Sequence, residues 1–192
     1  RRGPGAQAVG AASGASGTDG EAHAARRHRE DRGEAGLRHL GLRIGVRTGE
    51  ILISLISATE VLPGLDGLSE RWMQRWPQVK GVTLNLQTRR SNTVLGEKTI
   101  CLQGQDAIDE QFCGLKLELG TTTFFQVNTA RAERAVVLIC DWLSRSGERL
   151  RVIDAYCGIG TIALPIAAQG HSVTGLEISS ASIRHAQRNA SR

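Results

Sequence analysis

The residues best placed to do chemistry are Asp154 and Glu177, two carboxylates that each close a short apolar run, with Gly158 and Gly160 in the turn that follows the first. Leu150, Val152 and Ile153 read as a buried strand with Asp154 at its carboxyl end, and Ile162, Ala163, Leu164 and Ile166 as the apolar start of a helix. His171 to Glu177 then reads as a second strand. Glu177 lies 19 residues beyond Gly158, near the ~20-residue offset of an acid that accepts ribose hydroxyls. In a doubly wound sheet, ligands bind at the carboxyl ends of such strands.

The turn alone leaves the ligand open, because a lone G-x-G after a strand is shared by nucleotide, flavin and S-adenosylmethionine proteins. A dinucleotide site wants a third glycine near Ala163, where the backbone must approach a pyrophosphate closely. S-adenosylmethionine carries a sulfonium and a carboxylate but no phosphate, so a shorter turn with an acid at each strand end suits it better. A nicotinamide-dependent oxidoreductase fragment and a cofactor-free α/β turn stand as the alternatives. Cys157, within the turn, invites a reading as a nucleophile beside a helix start. It has no partner base near it in sequence, and a packing role is expected.

The elements that must position these groups follow from periodicity. Leu40, Leu42 and Ile44 alternate, Ile51 to Ile56 is strongly apolar, and Thr48-Gly49-Glu50 between them predicts a hairpin. Leu65, Leu68, Trp72 and Trp76 fall at helical spacing before Pro77, which reads as core packing. Val82, Leu84 and Leu86 alternate as a strand, as do Leu115, Leu117 and Leu119. After T-T-T-F-F-Q-V-N, a long helix carries Ala132, Ala135, Val136, Ile139 and Trp142 on one face, with Asn128 as its cap. Ser179 or Ser180 caps a final helix. Residues 1–36 are rich in Gly, Ala, Ser, Arg and acidic side chains and are expected to be a disordered segment. A small central domain over 37–120 and the start of a second domain over 121–192 complete the organisation.

Composition narrows the partners. Of 192 residues, 40% are hydrophobic and 22% charged, enough for one modest core and a second small one. No run approaches the ~20 apolar residues needed to cross a bilayer, and the beginning lacks the apolar region of a secretory signal. No membrane partner and a cytoplasmic location are expected. The net charge of +5 is compatible with a polyanion, while 4% aromatic content is sparse for a base-stacking platform. Cys101, Cys113, Cys140 and Cys157 form no C-x-x-C pair, which argues against a metal among these residues. Two βα units leave the edges and one face of a parallel sheet uncovered, so the sequence reads as a fragment of a larger sheet.

On L-R-H-L-G-L-R at Leu37 to Arg43 with T-G-E at Thr48 to Glu50, F-F-Q-V-N at Phe124 to Asn128, D-A-Y-C-G-I-G-T at Asp154 to Thr161, G-L-E at Gly175 to Glu177 and A-Q-R-N-A at Ala186 to Ala190, the chain resembles the bacterial RNA 5-methyluridine methyltransferases, in particular the 23S ribosomal RNA branch. The resemblance implies an α/β fold: the N-terminal part of a Rossmann-like class I methyltransferase domain, preceded by a small α/β (α+β) domain. It implies that Gln126, Tyr156 and Glu177 contact S-adenosylmethionine, with Thr161 where relatives often carry Asn. Asp154, Gly158 and Gly160 complete the expected cofactor set. It also implies that a cysteine thiolate adds to uracil carbon 6, activating carbon 5 for methylation before a base removes its proton. The family's nucleophile lies in an S-C-N-P segment and a further cofactor acid in a D-P-P/A-R segment, and neither occurs in these 192 residues. No catalytic residue is therefore assigned, the chain as given is expected to be inactive, and RNA is the expected partner. A non-catalytic RNA-binding fragment is the alternative from a different class.

Overall fold

The run I-L-I-S-L-I-S has no polar face, and in the computed structural model, which describes residues 36–89 and 91–192, it forms a strand covered on both sides. This strand, β2 (Ile51–Ser57), pairs antiparallel with β1 (Leu37–Ile44), giving the expected hairpin. Helix α1 (Leu65–Arg75) then carries the chain over to β3 (Val79–Leu86), which lies parallel to β2, and β4 (Lys98–Gly104) completes a four-stranded sheet in the order β1-β2-β3-β4. The expectation for the leading Gly- and Arg-rich segment concerns residues outside those described.

The period of two in β2 and β3 splits the core. Ile53 and Leu55 of β2 join Val79, Val82 and Leu84 under α1, with Leu65, Trp72 and Met73 packed against them. Trp72 thus packs as its spacing predicts. Trp76, one turn on, is 45% exposed and lies beside the Arg75 guanidinium, 5.8 Å from the ring centre. On the opposite face, Leu52 points toward a separate hairpin made of β5 (Ala107–Phe112) and β6 (Leu115–Gly120).

The β5–β6 hairpin organises the remainder. Its turn residues, Cys113 and Gly114, both have positive φ, at 50° and 78°, the signature of a two-residue type I′ connection whose twist matches the strands. Phe112, Leu117 and Leu119 form a core with Val136 and Cys140 of α2 (Thr129–Ser144), Ile159, and Ile166 of α3 (Ala163–Ala168). Each such side chain contributes about 1.5–3 kcal/mol by leaving water. α2 is capped as expected, the Asn128 side chain accepting from the Arg131 N–H. Its core face carries Ala132, Val136 and Ile139 as expected, joined by Cys140 and Leu143, while Ala135 is exposed and Trp142 is 67% exposed.

After α2 come β7 (Arg151–Ala155), α3, β8 (Ser172–Leu176) and α4 (Ser180–Ala190), with β7 and β8 paired in parallel. Ser179 caps α4 by accepting from the Ser182 N–H at 3.2 Å. No helix among the described residues is long and apolar enough to cross a membrane.

Candidate functional site

β7 and β8 run side by side with Asp154 opposite Gly175 and Ala155 opposite Leu176, so both strands release their chains at one end of the sheet. Asp154 sits at that end of β7. Glu177 follows β8 directly.

Between β7 and α3 the backbone bends sharply. Tyr156, Gly158 and Gly160 have φ of 68°, 57° and 92°, a left-handed region that costs a side-chain-bearing residue strain. The Cys157 N–H donates to the Leu176 carbonyl at 3.0 Å, extending the β7–β8 ladder, and the Gly160 N–H closes the turn onto the Cys157 carbonyl at 2.9 Å. Ile159, fully buried, anchors the loop in the core. A Cβ at Gly160 would lie 2.7 Å from Leu164 Cδ1, whereas one at Gly158 meets nothing within 4 Å. Gly160→Ala is therefore expected to cost roughly 1–2 kcal/mol of stability and to exceed Gly158→Ala. Urea unfolding of the two variants checks the order, and equal midpoints would contradict it.

Glu177 is tied into the turn. One carboxylate oxygen accepts the Ser179 N–H at 2.8 Å, the other the Gly158 N–H at 3.1 Å. These donors, Ser179 first, hold its carboxyl below the usual glutamate range. The sequence offset between Gly158 and Glu177 thus corresponds to a direct hydrogen bond across the two strand ends.

Asp154 behaves in the opposite way. Burial raises its carboxyl above the ordinary aspartate value, and the Ala163 N–H at the start of α3 only partly offsets this. Its Oδ2 is buried and has no hydrogen-bond partner. An acceptor oxygen left in that state costs free energy until a donor reaches it.

Cys157 packs, as expected, rather than standing free. Its sulfur occupies the space a Cβ at Gly175 would need, 2.7 Å away. Burial, and then the charges of Asp154 and Glu177, push its thiol up, which disfavours the thiolate a nucleophile requires.

The other expected residues divide. Tyr156 is 86% exposed at the mouth of the turn, and Thr161, half-buried, follows Gly160 into α3. Gln126 lies apart from the turn's hydrogen bonds, on the segment before α2. There Phe125 packs edge-on against Phe112, ring centres 5.4 Å apart, which turns Gln126 outward. It lines a cleft of about 490 Å³ with Arg43 and Leu42 of β1, Thr121 and Val127. Among the described residues, no group of three or more His, Cys, Asp or Glu side chains could hold a metal. A residue marked in sequence only within A-Q-R-N-A, and given no role there, joins the turn: Asn189, in the last turn of α4, donates to the Ile159 carbonyl at 3.1 Å.

No protein-family model matches the chain. It is similar to an uncharacterized RNA methyltransferase of Parasynechococcus marenigrum strain WH8102, 58% identical over 155 residues that cover 81% of this chain and 33% of that protein. Another, from Thermosynechococcus vestitus, is 44% identical over 163 residues, 85% of this chain and 36% of that protein. The chain thus spans about a third of the length of these curated relatives. In structure it is similar to the Pyrococcus abyssi tRNA (uracil-54, C5)-methyltransferase solved with S-adenosyl-L-homocysteine, with a TM-score of 0.66 over 88% of this chain and 42% of that one, at 20% sequence identity. That likeness is one of fold, an α/β arrangement that ends in the Rossmann-like β7–α3–β8 unit.

Proposed function

We propose that this chain, homologous to the bacterial proteins named RNA methyltransferases and so a member of one family with them, holds S-adenosylmethionine at the ends of β7 and β8 and is the cofactor-binding stretch of an enzyme that methylates uracil carbon 5 in RNA. The observation that carries the reading is Asp154: a buried carboxylate oxygen with no partner, one strand away from a second carboxylate fixed on the glycine turn. A polar atom buried at that cost is accounted for by a ligand that brings a donor to it.

The residues present fit the cofactor. Glu177 spends one lone pair of each oxygen on a backbone N–H and keeps the others for ribose hydroxyls. Asp154 offers its free oxygen to the donors of the amino-acid portion. Gly158, whose missing Cβ would stand in open space, keeps a side chain out of the approach, Gly160 lets the turn close against Leu164, and Tyr156, exposed at the mouth, offers an apolar ring. Gln126 and Thr161 complete the proposed set. S-adenosylmethionine supplies an electrophilic methyl group on a sulfonium. The nucleophile and base for the uracil ring are not among these 192 residues, so the chain alone binds without turning over.

The homologues' name supports RNA as the substrate class, and the fold neighbour acts on a tRNA uracil. The motifs quoted from the sequence favour uracil carbon 5 in 23S ribosomal RNA. Calorimetry of the chain with S-adenosylmethionine, S-adenosylhomocysteine and NAD tests the cofactor. Binding of the first two is expected. Tight NAD binding with no response to the others would overturn the reading in favour of a dinucleotide enzyme, and no response to any would favour a non-catalytic RNA-binding role. The target carbon is tested with a chain extended to the relatives' full length and RNA tritiated at uracil carbon 5. Methylation without tritium release would place the methyl group elsewhere.

A further inference from the structure

We infer that Asn189 is a positioning residue for the cofactor turn, an inference that rests on the reading of that turn as the cofactor site. Asn189 is 6% exposed and sits in the last turn of α4, far along the chain from the groups it touches. Its Oδ1 accepts the Glu118 N–H of β6 at 2.7 Å. Its Nδ2 donates to the Ile159 carbonyl in the middle of the glycine turn at 3.1 Å. A backbone N–H on one side and a carbonyl on the other fix the amide's orientation, because only one end of it accepts and only the other donates.

The turn is thereby held from two directions. Glu177 takes the Gly158 N–H, and Asn189 takes the carbonyl of the next residue. The two holds flank α4: Glu177, between β8 and the helix, also accepts the N–H of Ser179, the α4 cap, and Asn189 lies in the helix's last turn. Glu177 and α4 together therefore brace the Gly158–Ile159 segment at the N–H that enters it and the carbonyl that leaves it. The helix's own seat on the hairpin is close. His185 lies so near Gly120 that a Cβ there would stand 2.5 Å from the imidazole Nε2, and the Glu118 carboxylate meets both His185 Nδ1 at 2.8 Å and Arg188 at 2.9 Å. A loop whose donors must meet a ligand gains affinity from being held in shape beforehand.

Asn189→Asp tests this with little change in volume. The carboxylate still accepts from Glu118 but sets an oxygen against the Ile159 carbonyl. S-adenosylhomocysteine affinity of the folded variant is expected to fall at least about tenfold, the scale of leaving a buried polar group without its partner. Hydrogen exchange at the Gly158 and Gly160 amides is expected to quicken while exchange in β2 and β3 stays as in the parent. Asn189→Gln, which keeps both polar ends but displaces them by one methylene, is expected to lose less affinity than Asp and serves if the Asp variant does not fold. His185→Ala disturbs the seat of α4 without touching the turn, and is expected to lower the melting temperature more than the affinity.

If the parent binds and both folded Asn189 variants bind equally well, or lose affinity no more than His185→Ala does, the inference is overturned and Asn189 is structural only. If the parent itself binds no methyl-donor nucleoside, the cofactor reading fails, and the exchange experiment still decides whether Asn189 fixes the turn: unchanged glycine amides in the Asp variant would refute it.

Discussion

Glu177→Ala is expected to weaken S-adenosylmethionine binding by roughly 1–3 kcal/mol, about 5- to 150-fold. The side chain has two functions at once. It accepts the Gly158 and Ser179 N–H groups, fixing turn and helix cap, and it is the acid proposed above to receive ribose hydroxyls. Alanine removes both, so two backbone donors lose their partner and the ligand's hydroxyls enter a site without an acceptor. Glu177→Gln separates the contributions: one end of the amide carries N–H groups, so it faces a backbone donor with another donor. Its affinity is expected between parent and alanine. Calorimetry on the three proteins is the measurement, and equal affinities would remove Glu177 from the site.

Glu110→Ala is expected to cost about 3 kcal/mol or more of folding stability. Glu110 is fully buried in β5. Its Oε2 accepts the Val46 N–H at 2.6 Å, and its Oε1 accepts the Arg47 N–H at 3.0 Å and the Gln111 N–H at 2.8 Å. It ties the β1–β2 connection to the hairpin that carries the second core. Each donor left without a partner costs about 1–3 kcal/mol where water does not replace the carboxylate, and the alanine leaves a void where the carboxylate was. Urea unfolding followed by circular dichroism reads the loss. A shift under about 1 kcal/mol would mean that water reaches those N–H groups and that the carboxylate is not a structural tie.

The parts of the fold that were legible in sequence are those whose signal is local. The β1–β2 hairpin, α1, the Asn128 and Ser179 caps and the unit from β7 to β8 each rest on periodicity or on turn residues within a few positions. β4 and β5 carry neither: K-T-I-C-L-Q-G and A-I-D-E-Q-F mix polar and apolar side chains without clean alternation. The turn after β5 uses Cys113 and Gly114 where Asn-Gly would have announced a type I′ connection. Glu110 looks like an ordinary polar strand residue, and its burial is compensated by two backbone donors, of Val46 and Arg47, that only folding brings to it. In the site, the Gly158 to Glu177 offset was readable because one βα unit sets it. Asn189 stood only inside the A-Q-R-N-A motif, and its role was not readable, because its partners, Glu118 and Ile159, lie 71 and 30 residues away. Gln126 reached notice through resemblance alone, since nothing in its spacing marks it; Phe125 on Phe112 is the packing that turns it outward.

A chain made from its N-terminus exposes the glycine turn before the helix that braces it exists, because Asn189 is added 30 residues after Ile159. At translation rates of about 5–20 residues per second, the interval is roughly 2–6 s. The β5–β6 hairpin, complete long before, waits as a template onto which that helix docks. This crevice therefore takes shape after the hairpin, and a nascent polypeptide stalled before residue 189 should carry a formed hairpin beside a loosely held loop.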